Sequence, residues 1–177
     1  LMRMRDRGLF RHLGVNSFDP AVIEAALALP EIDTVMVDIN VLRPERVALA
    51  ARAAAAGKGV LAGMPLAMGH TAPKRLKDLR PSSLWYALRA LRNHRADMAR
   101  GRRFRFLHEP SGLTGAQAML AWVLGVEGVS VAVAGTTRVE HLHEILEAPG
   151  LVLPSQLARA IAVAQAGLSG ASARVGG

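Results

Sequence analysis

The 177-residue sequence contains no cysteine, so disulfide bridges and thiolate-held metal ions are excluded. Aromatic residues make up only 4% of the chain, and Ala, Leu and Val supply the apolar mass. That balance suits helices packed on a β-core better than an antiparallel sandwich. A membrane span needs ~20 apolar residues in a row. The most apolar stretch here, Val47 to Met68, is broken by Arg52 and Lys58. Neither a span nor a signal peptide is expected, and a reducing cytoplasm fits the absence of cysteine. Gly-x-Gly-x-x-Gly after the first strand is missing, as is Gly-x-x-x-x-Gly-Lys-Ser/Thr, which argues against a Rossmann nucleotide fold and a P-loop. The first residue is Leu1 and not Met, which reads as a start inside a longer protein or an unusual start codon.

What is present is a hydrophobic content of 51%, enough for one domain with a sizeable core. The formal charge of +8 is confined to one segment. Between Thr71 and Phe106 stand eleven Lys and Arg residues against Asp78 and Asp97, and the rest of the chain is close to neutral. Clustered Arg could face solvent, form a lid, meet an anionic partner or bind nucleic acid. The stretch has too few aromatics for a base-stacking platform. We read residues 71–106 as a basic insertion or lid loop, not as a nucleic-acid surface.

Strand and helix patterns alternate along the chain. Leu1 to Gly8 reads as the end of a basic helix closed by Gly8. Phe10 to Val15 is a short strand followed by the polar pair Asn16-Ser17. Asp19-Pro20 starts a helix, with Asp as cap and Pro in the first turn. Asp33 to Ile39 is a second strand, Glu45 to Ala56 an Ala-rich helix, and Val60 to Met64 a third strand leading into a compact loop through His70. Within the basic segment, Pro81-Ser82-Ser83 caps a helix carrying Leu84, Trp85, Leu88 and Leu91. A helix over Ala116 to Leu124 precedes Val129 to Val133, an uncharged run that predicts a strand buried on both faces. A short helix over Glu140 to Glu147 and a last one over Pro154 to Ala166 follow. Residues 168–177 form a Ser/Ala/Gly tail expected to be disordered. The order implies α/β architecture with parallel strands and right-handed crossovers. Four such strands make an open sheet or half of an eight-stranded barrel.

Two polar turns stand at strand ends, where parallel α/β folds place ligands. Gly135-Thr136-Thr137 either caps the following helix or meets a phosphate, and Asn16-Ser17 is a turn or a ligand contact. His141 and His143 are two apart in a helix and point different ways, so they do not predict a metal site. His108-Glu109 reads as a solvated loop.

Four stretches together resemble the aldo-keto reductase family. Arg11-His12-Leu13-Gly14-Val15-Asn16-Ser17-Phe18 is similar to its Arg-His-Ile-Gly-Val-Ser-Asn-Phe signature. Val60 to Gly69, with Pro65-Leu66 and Gly69, is similar to its Ser-Pro-Leu-x-x-Gly loop. Ala121-Trp122-Val123-Leu124 and Gly135-Thr136-Thr137-Arg138-Val139-Glu140-His141-Leu142 resemble its last helix, last strand and adenosine-binding loop. The resemblance runs in order over roughly residues 1–165.

It implies a TIM-type (β/α)8 barrel of which about half is present, strands five to eight, over residues 1–167. It also implies hydride transfer between NADP(H), or NAD(H), and a small-molecule carbonyl substrate. The family's catalytic Asp, Tyr, Lys and His belong to the other half, so the resemblance implies a missing N-terminal half as partner and no catalytic residue in this chain. The only Tyr here is Tyr86, in the basic segment. Cofactor positions carried over are Asn16 and Ser17 for the nicotinamide carboxamide, Leu66 and Gly69 for the pyrophosphate loop, Thr136 and Thr137 in the phosphate turn, Arg138 and His141 near a 2′-phosphate, and Glu144 for the adenine. Three positions depart from the family pattern. Its strand-six Gln falls on Met36, its nicotinamide-stacking Tyr on Gly63, and the following Ser on Met64. These departures motivate the alternative of a barrel-derived binding or scaffold protein without redox chemistry.

Overall fold

The computed structural model describes residues 1–73 and 95–172. Its framework is a sheet of four parallel strands in sequence order, β1 (Gly14–Asn16), β2 (Thr34–Asp38), β3 (Gly59–Gly63) and β4 (Val129–Val133). The helices are α1 (Met2–Asp6), α2 (Pro20–Leu27), α3 (Arg46–Ala55), α4 (Arg95–Gly101), α5 (Gly115–Leu124), α6 (Val139–Leu146) and α7 (Ser155–Ser172). The expected alternation of strands and helices is therefore present, with every strand pair parallel.

Local chemistry sets the element ends. Asp19 accepts the Ala21 N–H at 2.9 Å and Pro20 opens α2, where its missing N–H costs nothing. Gly8 takes φ 73° just past α1, a left-handed position that a glycine adopts without a Cβ penalty. Strand β1 is shorter than the Phe10 to Val15 stretch expected from sequence, because at its start the Leu13 N–H turns to the Asp33 side chain instead of a backbone carbonyl. The Asp33 carboxylate accepts the Leu13 N–H at 2.8 Å, so strand pairing begins at Gly14 with Thr34. That N–H bond holds the Asp33 carboxyl below the usual range, helped by His12 and Arg5.

The sheet has two unlike faces. Val35, Val37, Val60 and Ala62 are fully buried under Ile23, Ala26, Leu49, Ala50, Ala53 and Val123 of α2, α3 and α5. Register puts Met36, Leu61 and Val131 side by side on the opposite face. No helix covers that face among the described residues, and Val131 and Val133 are 49% and 42% exposed. This corrects the expectation that β4 is buried on both sides. Among the described residues it is an edge strand, paired only with β3, and its second face is open. The register shift between Val60 and Leu61 leaves Ser130 as an extra residue in β4, and its hydroxyl accepts the Val60 N–H at 3.4 Å.

A second core lies beside the sheet. Phe104, Leu107, Val41, Leu42, Met119 and Ile161 are among its buried members. Phe104 and Leu107 sit in a 3-10 stretch over Arg102–His108, within and just beyond the basic segment. That part of the segment is thus anchored in the interior and is not a free loop. The helix expected after Pro81 lies outside the described residues. The last helix continues to Ser172, which corrects the expected tail at its start, because Leu168 still packs on this second core.

Candidate functional site

The loop leaving β3 is the most constrained stretch of backbone. Met64, Ala67 and Met68 have φ of 54°, 49° and 53°, and Gly69 follows at 71°. Left-handed residues with side chains cost about 1–3 kcal/mol each and persist only where surrounding structure fixes them. Asn40 supplies part of that fixing. It is 4% exposed, its Nδ2 donates to the Met64 carbonyl at 3.2 Å, and its Oδ1 accepts the Leu42 N–H at 3.0 Å. A strand-end Asn therefore braces the neighbouring strand's loop.

Across from that loop, α5 begins with a capping box. Thr114 Oγ1 accepts the Gln117 N–H at 3.2 Å, and Gln117 Oε1 accepts the Thr114 N–H at 3.1 Å. The Thr-x-x-Gln spacing makes this start legible in the sequence, one residue ahead of the predicted helix. His108 packs between the two elements. Its Nε2 lies 3.0 Å from Oγ1 of the fully buried Thr71, and a Cβ on Gly115 would come within 2.5 Å of its ring. Only glycine fits at 115 with the ring in place. Burial lowers the pKa of His108, against the opposing pull of Glu144.

These elements enclose a cleft of about 690 Å³ beyond the carboxyl ends of β3 and β4. Of the residues singled out from sequence, Leu66, Gly69, Thr136, His141 and Glu144 line it. Its apolar wall includes Met68, Leu113, Met119 and Ile145, and Thr71 and His108 add polar groups. The structure does not bring the other four to the cleft. Asn16 and Ser17 stand at the end of β1, the opposite edge strand, and the Ser17 hydroxyl accepts the Asp19 N–H at 3.0 Å. Thr137 and Arg138 lie outside the lining, and Arg138 Nε is 3.4 Å from Glu140 Oε2. The Thr136 hydroxyl accepts the Arg138 N–H at 3.1 Å, the turn geometry open to it from sequence. His108 and Thr71 were not legible as site residues, because their pairing spans the basic segment. Met36 lies against Gly63, where a Cβ would meet its Cγ at 3.3 Å.

A fall in pH should expose the His108 arrangement. Its folded-state proton affinity is below that of the unfolded chain, where an imidazole titrates near ~6.5. The neutral ring's contribution to stability is present above that pH and is lost as pH drops below it toward the lowered folded value. Urea midpoints measured from pH 7.5 to 5 are expected to fall, and to fall less in His108→Gln. Equal slopes in the two proteins would contradict the lowered proton affinity of this ring.

Parallel β/α units with a ligand cleft beyond the strand ends, one face capped by helices and the other open, define one half of a (β/α)8 barrel. The chain belongs to the aldo/keto reductase family, whose model matches residues 1–165. Among solved structures it is similar to an aldo-keto reductase from Bacillus halodurans, at 18% identity and TM-score 0.64 over 92% of this chain and 53% of that one. It is similar to a glycerol dehydrogenase from Gluconobacter oxydans at 20% identity and TM-score 0.67, over 93% of this chain and 51% of that one. A thermostable aldo-keto reductase solved with the inhibitor epalrestat is 25% identical with a TM-score of 0.57, over 93% of this chain and 51% of that one. The chain thus spans about half the length of the structures it resembles. No curated protein matches it by sequence.

Proposed function

We propose that residues 1–167 are the cofactor-binding half of an aldo-keto reductase barrel that reduces a carbonyl to an alcohol with a nicotinamide dinucleotide. The observation that carries this reading is the convergence of Leu66, Gly69, Thr136, His141 and Glu144 on one cleft at the strand ends. The donor set fits the adenosine end of such a cofactor. Apolar walls suit a flat purine, Glu144 would accept a hydrogen bond from its amine, and the backbone of the Leu66–Gly69 loop would meet the phosphates. Asn16 and Ser17, at the end of β1, would serve the carboxamide at the other end of the site. When bound, the dinucleotide supplies the hydride. The family's Asp, Tyr, Lys and His would come from an N-terminal half, with which the open sheet face and the two edge strands would pair. The family resemblance implies NADP(H), and a cytoplasmic setting accords with the lack of cysteine.

A second reading, a binding module without redox chemistry, is favoured by Met36 resting on Gly63, where the family pattern has a Gln and a stacking Tyr. Titration of the chain with NADH and NADPH, followed by cofactor fluorescence, tests the first reading and separates the two. Saturable binding that weakens about tenfold or more in Glu144→Ala supports the cofactor cleft, on the scale of a hydrogen bond to a charged group. Absence of saturable binding contradicts it. Binding of 5′-ADP as tight as that of NADH favours the second reading, since the nicotinamide then adds nothing.

A further inference from the structure

The loop that walls the cleft is held from a neighbouring strand, by a residue outside the cleft. Asn40 follows β2, which ends at Asp38. Its Oδ1 accepts the Leu42 N–H at 3.0 Å and its backbone carbonyl accepts the Arg43 N–H at 2.9 Å, an Asx turn inside a backbone turn. That turn fixes the side chain, and Nδ2 at its other end donates to the Met64 carbonyl at 3.2 Å. The Met64 carbonyl also accepts the Ala67 N–H at 2.9 Å, so both of its lone pairs are used.

Met64 is a strained point in the loop. It takes φ 54° ahead of Pro65, and a residue before proline favours extended backbone at negative φ. Ala67 and Met68 follow at 49° and 53°. On one side of the loop lies the cleft, walled by Leu66, Met68 and Gly69. On the other lies a second cavity of about 140 Å³, walled by Asn40, Met64, Ala67 and Met68. Met68 belongs to both walls. Without the Asn40 bond the loop has strain to release and space to release it into.

We propose that Asn40 is a positioning residue for the cleft. By holding the Met64 carbonyl it keeps the left-handed loop against the ligand, and so sets the affinity of a site whose wall it does not form. The inference rests on the reading that the cleft holds a nicotinamide dinucleotide. A loop that leaves this arrangement part of the time lowers the apparent affinity by the fraction of chains still competent. The loss of one neutral hydrogen bond shifts such a balance by about fivefold. Asn suits this position because it carries both an acceptor for the turn and a donor for the next strand's loop.

The test titrates NADH into the whole chain and records the amide resonances of Leu66, Ala67 and Gly69 before ligand is added. Asn40→Ala removes both side-chain bonds. Asn40→Asp keeps an acceptor for the Leu42 N–H, and its carboxylate has no donor for Met64. The double variant Asn40→Ala/Met64→Gly removes the brace together with the strain at Met64, because glycine takes positive φ without a Cβ penalty. Met64 is outside the cleft wall, so this second change leaves the lining intact. Both single variants are expected to bind NADH about fivefold more weakly than the wild type, with the loop resonances moved in the free protein. The double variant is expected to recover affinity to within about twofold of the wild type. A role in fold stability alone would not be rescued by a glycine at the strained position. Wild-type affinity in both single variants, a loss of affinity with unmoved loop resonances, or no recovery in the double variant overturns the positioning role while the cofactor cleft stands. So does loss of the folded circular dichroism spectrum in both single variants, which would make Asn40 a folding residue only. Failure of NADH to bind the wild-type chain overturns the cofactor reading and this inference with it.

Discussion

Replacing Phe104 by Ala is expected to destabilise the chain by about 3–5 kcal/mol, the cost of removing a fully buried aromatic side chain. Phe104 is 0% exposed and packs in the second core with Leu107, Leu42, Met119 and Ile161. Its ring lies 6.1 Å from that of Phe106, a tilted pair. The loss should reach beyond stability. Leu107 and Met119 share this core, and His108 and Met119 form part of the cleft wall, so the cavity opens directly beneath the proposed ligand site. Half a barrel with an uncovered sheet face starts with little stability to spare. Urea denaturation followed by circular dichroism measures the change. A loss below about 1 kcal/mol would mean that the basic segment's last part is not the structural anchor described here.

The second large effect is expected at Asp38. This residue closes β2 and is 3% exposed. Arg43 Nη1 lies 3.1 Å from its carboxylate and Arg46 Nε 3.0 Å, and Arg43 also reaches Asp97 at 3.0 Å. Burial pushes the Asp38 carboxyl above its ordinary range, against the pull of Arg43 and Arg46. A raised folded-state value means that this group favours folding most at low pH, and that the advantage is lost as pH rises through the raised value. At neutral pH the ionised network is therefore an arrangement that specifies geometry more than it stabilises. Removing one partner is still costly, because Arg46 remains mostly buried without its carboxylate. Asp38→Ala is expected to cost about 3 kcal/mol. Asp38→Asn keeps an acceptor of the same shape and should cost less. The two denaturation curves decide this, and an Ala variant as stable as the wild type would contradict the account.

The framework was legible in the sequence because it rests on local signals. The Asp19-Pro20 start, the Gly8 stop and the apolar runs of β2 and β3 each act within a few residues of themselves. So did the turns at Gly69 and Thr136, and they do reach one cleft. Other features depend on partners distant in the chain. Val131 and Val133 look like core residues by type, yet they are exposed because, among the described residues, no helix covers that face of the sheet and β4 has a neighbour on one edge alone. Phe104 and Leu107 sit among arginines, so charge hid two core positions whose burial comes from Leu42 and Ile161. Thr71 and His108 are separated by the basic segment, and nothing in their spacing joins them. Arg138 is read from sequence as a cation for a phosphate, whereas the structure sets it outside the cleft and beside Glu140, a matter of side-chain direction that sequence does not carry.

The central claim is that the cleft beyond β3 and β4 receives the adenosine end of a nicotinamide dinucleotide. Titrating the isotope-labelled chain with NADH and mapping the amide resonances that move tests it most directly. The account predicts saturable shifts at Leu66, Gly69, Thr136 and Glu144, with Thr71 and His108 following. Shifts confined to residues outside that cleft, or none at saturating NADH, would contradict it.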